Sequence, residues 1–427
     1  MTMVSNPTES TIMSDQPKEN EAWSNWAQNF TSNPALTFYP DSETGVADAV
    51  RVALRENLTL RTAGSSLSFS PLVTTQGVLL HLDKLSGITS IDEEKQRVRV
   101  RAGTTIKNLA AELWERGWSL RNQGIIWEQA IAGALNTSTH GTGQGLRGFS
   151  SMLTWVRLVD GRGEIIEIGE DDPRLHAVQT GLGLMGVFLE VELEVVPRFF
   201  LEEKFEFPHW DVAANSWEHE VANNRNHGLM WLKSDTSAEE YSLPSPDGES
   251  MANRTVYFQA NEIDPIPETE WSDVIGARRG PAYRVLSASI GTTTKPFYEL
   301  EYAVPYEDVL EAAALVQRQS EAHSEQNHPM FMRVIEADDS WMSPFYQRKS
   351  ATISVAGMPG TDYWPFLRAV HNTLLPFKPR AHWGKLHLMT REHLQSTYPK
   401  FDEYVALRRE QDPNGIFLND HLRPLFG

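Results

Sequence analysis

The chain contains 427 residues, with 38 Lys and Arg against 57 Asp and Glu, so its formal net charge at pH 7 is −19. Such an acidic chain is a poor non-specific binder of nucleic acid or anionic membranes, because both require a basic surface. The absence of cysteine excludes disulfides, thiolate metal sites and cysteine nucleophiles. The most apolar run, residues 181–189, is far shorter than the ~20 residues of a membrane span. These features predict a cytoplasmic protein without integral membrane contact.

The first 22 residues are rich in Ser, Thr, Asn, Pro and Glu, and they lack the basic start and apolar run of a signal peptide. They predict a disordered tail, with ordered sequence beginning near Trp23. From Leu36 the pattern predicts a βαβ unit. Its helix is capped by Asp41 or Ser42, and a strand from Leu58 to Thr62 follows.

A loop of small residues, 64–68, follows this strand directly. Its glycine and serines allow several backbone N–H groups to converge, and the serine hydroxyls add donors, so a neutral loop of this kind can bind a diphosphate. An ordinary turn between a strand and a helix is the alternative.

A second loop rich in Gly and Thr extends from Gly133 to Gly148. A long loop of this kind inside a compact domain is more often functional than not. Within it, His140 is either a base or a loop histidine that bonds the backbone of its neighbours.

A formal GxGxxG pattern occurs at Gly181, Gly183 and Gly186. A dinucleotide fingerprint requires a strand before the glycines and a helix after them. Here the pattern predicts a short helix before them, near Arg174, and a strand after them from Val187 to Val196. This reversed order argues against a nicotinamide site of the Rossmann type.

The region 199–376 mixes aromatic-rich strands with helices, and Arg333 lies in one of its apolar strands. The pattern is compatible with two roles for this arginine, a structural salt bridge and a substrate anchor. Further on, an extended segment 381–388 would place His382 and His387 on opposite faces, which argues against a zinc pair. Lys385 is either a cation near an electron-rich site or a strand lysine that reaches solvent.

Six segments, taken in this order, resemble the vanillyl-alcohol oxidase family of flavoproteins, and in particular its sugar lactone and alditol oxidoreductases. The resemblance covers Trp23 to Gly427. It implies an α+β chain with a two-domain FAD-binding fold of the PCMH type and an α+β substrate (cap) domain. The segments are Arg61–Leu72, Ala132–Gly143, Gly181–Val187, Ala337–Pro344, His382–His387 and Asp412–Asn419.

The resemblance also implies a division of the chain and a set of cofactor residues. After the tail, 1–22, residues 23–198 would form the FAD-binding domain and residues 199–376 the substrate domain, and residues 377–427 would return to the FAD domain. The residues implied to bind FAD are Gly64, Ser65, Ser66, Leu67, Ser68, Gly133, Thr137, Ser138, His140, Gly141, Thr142, Gly143, Ser150, Gly186, Val187 and Lys385.

The implied chemistry is hydride transfer to flavin N5 from the CH–OH group of a sugar-derived lactone, an alditol or a similar hydroxylated small molecule, as in D-arabinono-1,4-lactone oxidases. Arg333 would anchor the substrate, Lys385 would stabilise the negative charge of the reduced flavin, and His387 is a third catalytic candidate. No metal is implied. O2 is the expected acceptor. The alternatives are a dehydrogenase that uses a quinone or cytochrome, and a flavin-binding protein that has lost turnover.

The sequence departs from the family pattern at two positions. Leu67 stands where members with a covalent flavin carry the linking histidine, and there is no cysteine, so we expect dissociable FAD. Phe331 replaces the carboxylate of a Glu-x-Arg pattern, and Glu336 lies on the opposite face of a regular strand. Either another acid replaces that carboxylate, or the substrate is not a standard alditol or aldonolactone, in which case Phe331 favours a more apolar or aromatic substrate portion.

Overall fold

The computed structural model describes residues 17–241, 243, 245, 248–287 and 296–427. In chain order, the strands of this part are β1 (Lys18–Glu19), β2 (Trp23–Ser24), β3 (Thr31–Ser32), β4 (Leu36–Phe38), β5 (Leu60–Ala63), β6 (Val78–His81), β7 (Ile88–Asp92), β8 (Arg97–Arg101), β9 (Trp118–Ser119), β10 (Leu153–Val159), β11 (Ile165–Gly169), β12 (Val187–Glu194), β13 (Val196–Pro197), β14 (Phe200–Glu206), β15 (Asn226–Leu232), β16 (Arg254–Ile263), β17 (Arg279–Pro281), β18 (Tyr298–Pro305), β19 (Met330–Ile335), β20 (Ser350–Gly357) and β21 (Arg380–Ala381).

Helices are distributed along the same described ranges, together with a few short 3-10 turns. The α-helices are α1 (Glu43–Arg55), α2 (Ile106–Glu115), α3 (Ile131–Asn136), α4 (Leu175–Val178), α5 (Trp210–Asn223), α6 (Asp235–Glu240), α7 (Ala282–Val285), α8 (Val309–Ala322), α9 (Trp364–Leu374), α10 (Arg391–Thr397), α11 (Phe401–Gln411) and α12 (Arg423–Phe426).

The N-terminal half contains two sheets with a helix between them. Strands β4, β6 and β5 pair in parallel, with β1 antiparallel at one edge, while β11, β10, β12, β8 and β7 form an antiparallel sheet in that order. Helix α1 contacts both β6 and β10, and its stripe of Val46, Ala49, Val50 and Ala53 is buried. Burial of one apolar face therefore fixes this helix between the two sheets.

The middle of the chain forms an antiparallel sheet of eight strands in the order β17-β14-β16-β15-β19-β20-β18-β21. Helix α5 packs on β15, while α8 and α9 pack on each other and on β20. Because side chains alternate along a strand, one face of this sheet carries the core residues Leu229, Met332 and Leu300. The opposite face of the sheet does not carry these core residues and is available to line a ligand site.

Several sequence expectations are confirmed by these elements. The Ser42 side chain caps α1 by accepting from a backbone N–H in the first turn. At the GxGxxG pattern, helix α4 precedes the glycines and strand β12 follows them, as expected.

Three expectations differ from the structure. Residues 1–16 of the predicted tail lie outside the described residues, but Lys18–Glu19 pair with β4, so ordered chain begins before Trp23. The predicted loop from Gly133 begins inside helix α3. Residues 382–385 form a turn rather than a strand, closed by a bond from Lys385 N to His382 O (3.0 Å).

Within the described ranges, no helix combines the length and the apolar character that a bilayer crossing requires. The same residues contain no group of three or more His, Asp or Glu side chains placed to hold a metal ion.

Candidate active site

A deep cleft of about 1210 Å³ lies between the N-terminal sheets and the free face of the eight-stranded sheet. Pockets for drug-sized ligands range over about 300–1,000 Å³, so this cleft has room for an extended cofactor together with a substrate. We call residues 64–68, 129–142 and 182–187 the cradle wall. We call the cleft-facing residues of β14, β16, β15, β19 and β18 the sheet wall.

The loop 64–68 of the cradle wall turns through a left-handed serine. Ser66 has a φ of 55°, and its carbonyl oxygen accepts from Trp26 N (2.8 Å) while its hydroxyl accepts from Trp23 Nε1 (3.0 Å). Alternation of right- and left-handed residues turns successive N–H groups inward and makes an anion-binding concavity. The conformation therefore fits a diphosphate held by neutral backbone donors.

Helix α3 of the cradle wall presents an open backbone surface to the cleft. A Cβ atom added at Gly133 would have no heavy atom within 4 Å. Nearby, Gln129 Oε1 and Thr139 Oγ1 are buried but have no hydrogen-bond partner in the protein, although buried polar atoms are nearly always paired. These two orphan atoms and the missing side chain fit a polar, flat ligand such as FAD.

Arg61 holds this wall together from behind. Its buried guanidinium donates to the carbonyl oxygens of Leu72 (2.6 Å), Leu182 (2.7 Å), Gly183 (3.3 Å) and Phe417 (2.7 Å). Burial lowers the pKa of Arg61 to about 10, which leaves it cationic at neutral pH. Sequence analysis quoted Arg61 as the first residue of a loop and missed this role. A charged residue at the end of a buried strand was the available signal.

The sheet wall contains a buried carboxylate, Glu301, between the side chains of His140 and Arg333. Its oxygens lie 2.8 Å from His140 Nε2 and 3.1 Å from Arg333 Nη2. Burial alone raises the pKa of Glu301, but the charges of Arg333 and His140 outweigh it and hold that pKa well below the ordinary carboxyl value. Arg333 therefore forms a structural ion pair and also lines the cleft.

His140 joins the two walls through this carboxylate. Its Nδ1 lies 2.9 Å from the carbonyl oxygen of Gly141, so the ring bonds the backbone of its neighbour as well as Glu301. Its side chain has 1% of its surface exposed. This arrangement favours a positioning role over that of a free base.

The turn at 382–385 brings Lys385 into the cleft. Its ammonium binds the carboxylate of Glu299 and lies 5.0 Å from the ring centroid of Phe69. Both glutamates come from the first half of β18, where they alternate with Tyr298, Leu300 and Tyr302. Sequence analysis missed them, although that alternation was visible.

The same turn carries His387 away from the cleft, so the catalytic role predicted for it has to be corrected. Its ring packs against Trp383 (5.5 Å between centroids) and His421 (5.3 Å), and it is absent from the cleft lining. Burial lowers the pKa of His387 to about 3, so the ring stays neutral.

Three other predicted cofactor residues lie behind the cleft surface. Ser150 Oγ donates to Leu135 O (2.6 Å), Ser138 Oγ lies 3.3 Å from Ser343 Oγ, and Gly143 N donates to Val334 O (2.8 Å). The ligand contact predicted for these three residues is therefore corrected: they support the wall from behind. The remaining predicted residues line the cleft, namely Gly64, Ser65, Ser66, Leu67, Ser68, Gly133, Thr137, His140, Gly141, Thr142, Gly186, Val187, Arg333 and Lys385.

Solved structures with the same fold include cholesterol oxidases. One from Brevibacterium sterolicum aligns with a TM-score of 0.81 at 14% identity, over 99% of this chain and 100% of that chain. A solvent-stable cholesterol oxidase gives the same TM-score at 17% identity, over 99% of this chain and 100% of that one. At these identities the likeness establishes the two-domain FAD-binding fold and nothing about the substrate.

The sequence comparisons cover nearly the whole chain. An L-gulono-1,4-lactone dehydrogenase of Mycobacterium tuberculosis is 29% identical over 95% of this chain and 99% of its own. An L-gulonolactone oxidase of Mus musculus is 26% identical over 94% and 97%, and an alditol oxidase of a Streptomyces species is 26% identical over 95% and 99%.

Two protein families match separate parts of the chain. The FAD binding domain family matches residues 34–169, which contain most of the cradle wall, and the D-arabinono-1,4-lactone oxidase family matches residues 275–425, which contain Arg333 and Lys385. With its cleft built from both parts, the chain is an FAD-dependent oxidoreductase in which a match to the FAD binding domain family is followed by a match to the D-arabinono-1,4-lactone oxidase family.

Proposed function

We propose that this oxidoreductase removes a hydride from the CH–OH group of a sugar-derived lactone, an alditol or a similar small molecule, with O2 as the acceptor. The observation that carries the proposal is the continuity of one cleft, which has a backbone cradle at one end and the side chains of Arg333, Glu299 and Lys385 at the other. Bound FAD supplies the hydride acceptor. The protein supplies binding, orientation and charge.

The roles of individual residues follow from their placement. The backbone of 64–68 would hold the diphosphate, and Gly133 would face the cofactor without a side chain. Arg333, fixed by Glu301, would donate to substrate oxygens. Lys385 would supply positive charge beside the flavin.

We propose the domain division 23–198, 199–376 and 377–427. All but one strand of the eight-stranded sheet lie between residues 200 and 357, which supports the boundaries proposed for the segment 199–376. β21, at residues 380–381, joins the same sheet, so the returning segment contributes to both parts. A cytoplasmic location likewise stays a prediction from composition.

The activity is tested by anaerobic mixing of FAD-loaded protein with L-gulono-1,4-lactone, D-arabinono-1,4-lactone and xylitol. Bleaching of the flavin absorbance by any of them supports the proposal, and a flavin that none of them bleaches contradicts it. Admission of air then separates the acceptors. Rapid return of the absorbance indicates an oxidase, whereas slow return favours the carrier-dependent alternative, which the name of the Mycobacterium tuberculosis relative supports.

We further propose that the FAD is not covalently attached. Leu67 lines the cleft, and its side chain has no nucleophilic atom. Acid precipitation of the loaded protein should therefore leave the flavin in the supernatant. Yellow colour that stays with the washed pellet would contradict this.

A further inference from the structure

Strand β18 carries two carboxylates on its cleft-facing side, and they differ in exposure and in charged partners. Glu301 has no exposed surface, and its two oxygens face His140 and Arg333. Glu299 binds Lys385 through one oxygen and accepts from Ser354 Oγ through the other, and 9% of its side chain is exposed. Because each carboxylate oxygen has two acceptor sites, Glu299 retains acceptor capacity toward the cleft.

The cleft around Glu299 is walled by aromatic rings. Neighbouring members of this group contact one another with centroid separations from 4.7 Å to 6.5 Å. They offer apolar surface to the C–H face of a ligand and leave hydroxyl recognition to few polar groups. The rings are those of Trp26, Phe69, Tyr241, Phe258, Phe297, His328 and Phe331.

Two polar members of this group form a hydrogen bond with each other. The Tyr241 hydroxyl lies 2.9 Å from His328 Nε2. Burial raises the pKa of Tyr241 well above its ordinary value, and burial lowers that of His328 to about 4 against the opposing charge of Glu299. The tyrosine therefore stays protonated and the histidine neutral, and the bond between them occupies Nε2 of His328.

Among the remaining buried groups at this end of the cleft, Glu301 has no exposed surface and is enclosed between His140 and Arg333, and the basic side chains do not accept. Arg333 and Lys385 carry donors only. His140 has its two nitrogens turned to Gly141 O and to Glu301. His382 Nδ1 accepts from Gly384 N (3.1 Å), which leaves Nε2 as its protonated, donating nitrogen.

We propose that Glu299 is a catalytic residue that accepts the hydrogen bond, and then the proton, of the substrate hydroxyl at the carbon being oxidised. This rests on the proposed function, since it assigns a step of that reaction. The C–H bond breaks and its hydrogen leaves as hydride to FAD, while the O–H bond breaks and its proton goes to a Glu299 oxygen. The electrons of the O–H bond complete C=O. Lys385 holds the carboxylate and donates to the substrate oxygen.

The test compares FAD-loaded wild-type protein with E299Q, which keeps the shape but loses the proton acceptor. Two quantities are measured for L-gulono-1,4-lactone, D-arabinono-1,4-lactone and xylitol. The first is the anaerobic rate of flavin bleaching. The second is the Kd for dithionite-reduced protein, in which no turnover occurs. We expect the rate of bleaching to fall about 10²-fold or more and the Kd to rise about tenfold.

Two further variants separate this role from a structural one. Glu192 on β12 forms an ion pair with Arg99 (2.9 Å) outside the cleft lining, with 14% of its side chain exposed, so E192Q controls for the loss of a paired carboxylate, and we expect wild-type rate and Kd per bound FAD. E299D retains a carboxylate one methylene further from the cleft. It should give a rate between those of wild type and E299Q, and it carries the test if E299Q fails to fold.

The outcomes are distinct for the two proposals. If the wild-type flavin responds to a probe and E299Q responds with a rate and Kd within threefold of wild type, this inference fails and the proposed function stands. If no probe binds to or bleaches the wild-type protein, the proposed function fails and the inference falls with it. A selective loss of rate and affinity in E299Q supports both.

Discussion

The cradle wall of the cleft is built from backbone, whereas the sheet wall is built from side chains. The first depends on the turn at Ser66 and the bare surface of Gly133, and the second on the ion pairs of Arg333 and Lys385. A backbone site needs only small residues and the right turns, so it tolerates a chain with a net charge of −19 around an anionic cofactor. A side-chain site depends on which strands pair and in which register.

The largest effect is expected when a side chain fills the space in front of the cradle wall. Gly133→Leu would place a side chain in the space proposed for FAD, and we expect stoichiometric FAD binding to be lost. Helix α3 itself should not suffer, because Gly is about 1 kcal/mol less favourable than Ala inside a helix. FAD titration followed by flavin fluorescence measures the loss.

Gly133→Ala is the matched control for this variant. It adds a single methyl group and should weaken FAD binding less than the leucine does. Equal melting temperatures of the three apoproteins would show that the fold is intact. Full FAD binding by Gly133→Leu would show that α3 does not face the cofactor.

The sheet wall is broken by removing one charge of a buried pair. Arg333→Met leaves Glu301 buried without its guanidinium partner, and an uncompensated buried charge costs about 3–5 kcal/mol. We expect the free energy of unfolding of the apoprotein to fall by that amount in urea titrations. Arg279→Met, which removes a pair with both side chains more than a third exposed, should cost about 0–1 kcal/mol.

The double variant Arg333→Met with Glu301→Gln tests the cause of that loss. It removes the orphaned charge and should recover much of the lost free energy of unfolding. Equal losses in Arg333→Met and Arg279→Met would contradict a buried ion pair at the sheet wall.

A pH-dependent effect is expected behind the two walls, where Asp338 lies buried and accepts from Ser343 Oγ (2.6 Å) and Ser340 N (3.2 Å). Burial raises the pKa of Asp338 to about 7. The folded protein then keeps a proton that the unfolded chain releases above about pH 4. The contribution of this group to the free energy of unfolding is fully present below that pH. It is lost as the pH rises toward 7, by up to about 1.4 kcal/mol per pH unit.

Asp338→Asn should remove this contribution to the pH dependence. Urea unfolding of wild type and variant between pH 4 and pH 7 measures the difference in slope. Asp339→Asn makes the same change of charge on the exposed neighbour and serves as the control. A variant with the wild-type slope would mean that Asp338 is ionised in the folded protein throughout.

The sequence predicted the residues of the cradle wall better than those of the sheet wall, and the reasons are physical. The loop 64–68 and the GxGxxG turn were visible, because glycine and serine mark backbone conformations locally. Glu299 and Glu301 were not singled out, because their meaning depends on β18 lying two strands from Arg333. The extended segment predicted at 381–388 was wrong, because residues 382–385 form a turn closed by the bond from Lys385 N to His382 O.

The guanidinium of Arg61 has a consequence for biosynthesis. It binds carbonyls at Leu72, at the 182–183 turn and at Phe417, and Asn419 adds bonds to the carbonyls of Pro71 and Thr74. A chain emerging from the ribosome carries this buried cation without its last acceptor for some 350 residues of elongation. Domains fold as units in the order of synthesis. Because one of the carbonyls that hold Arg61 belongs to Phe417, we expect the cradle wall to be completed only after translation has passed this residue.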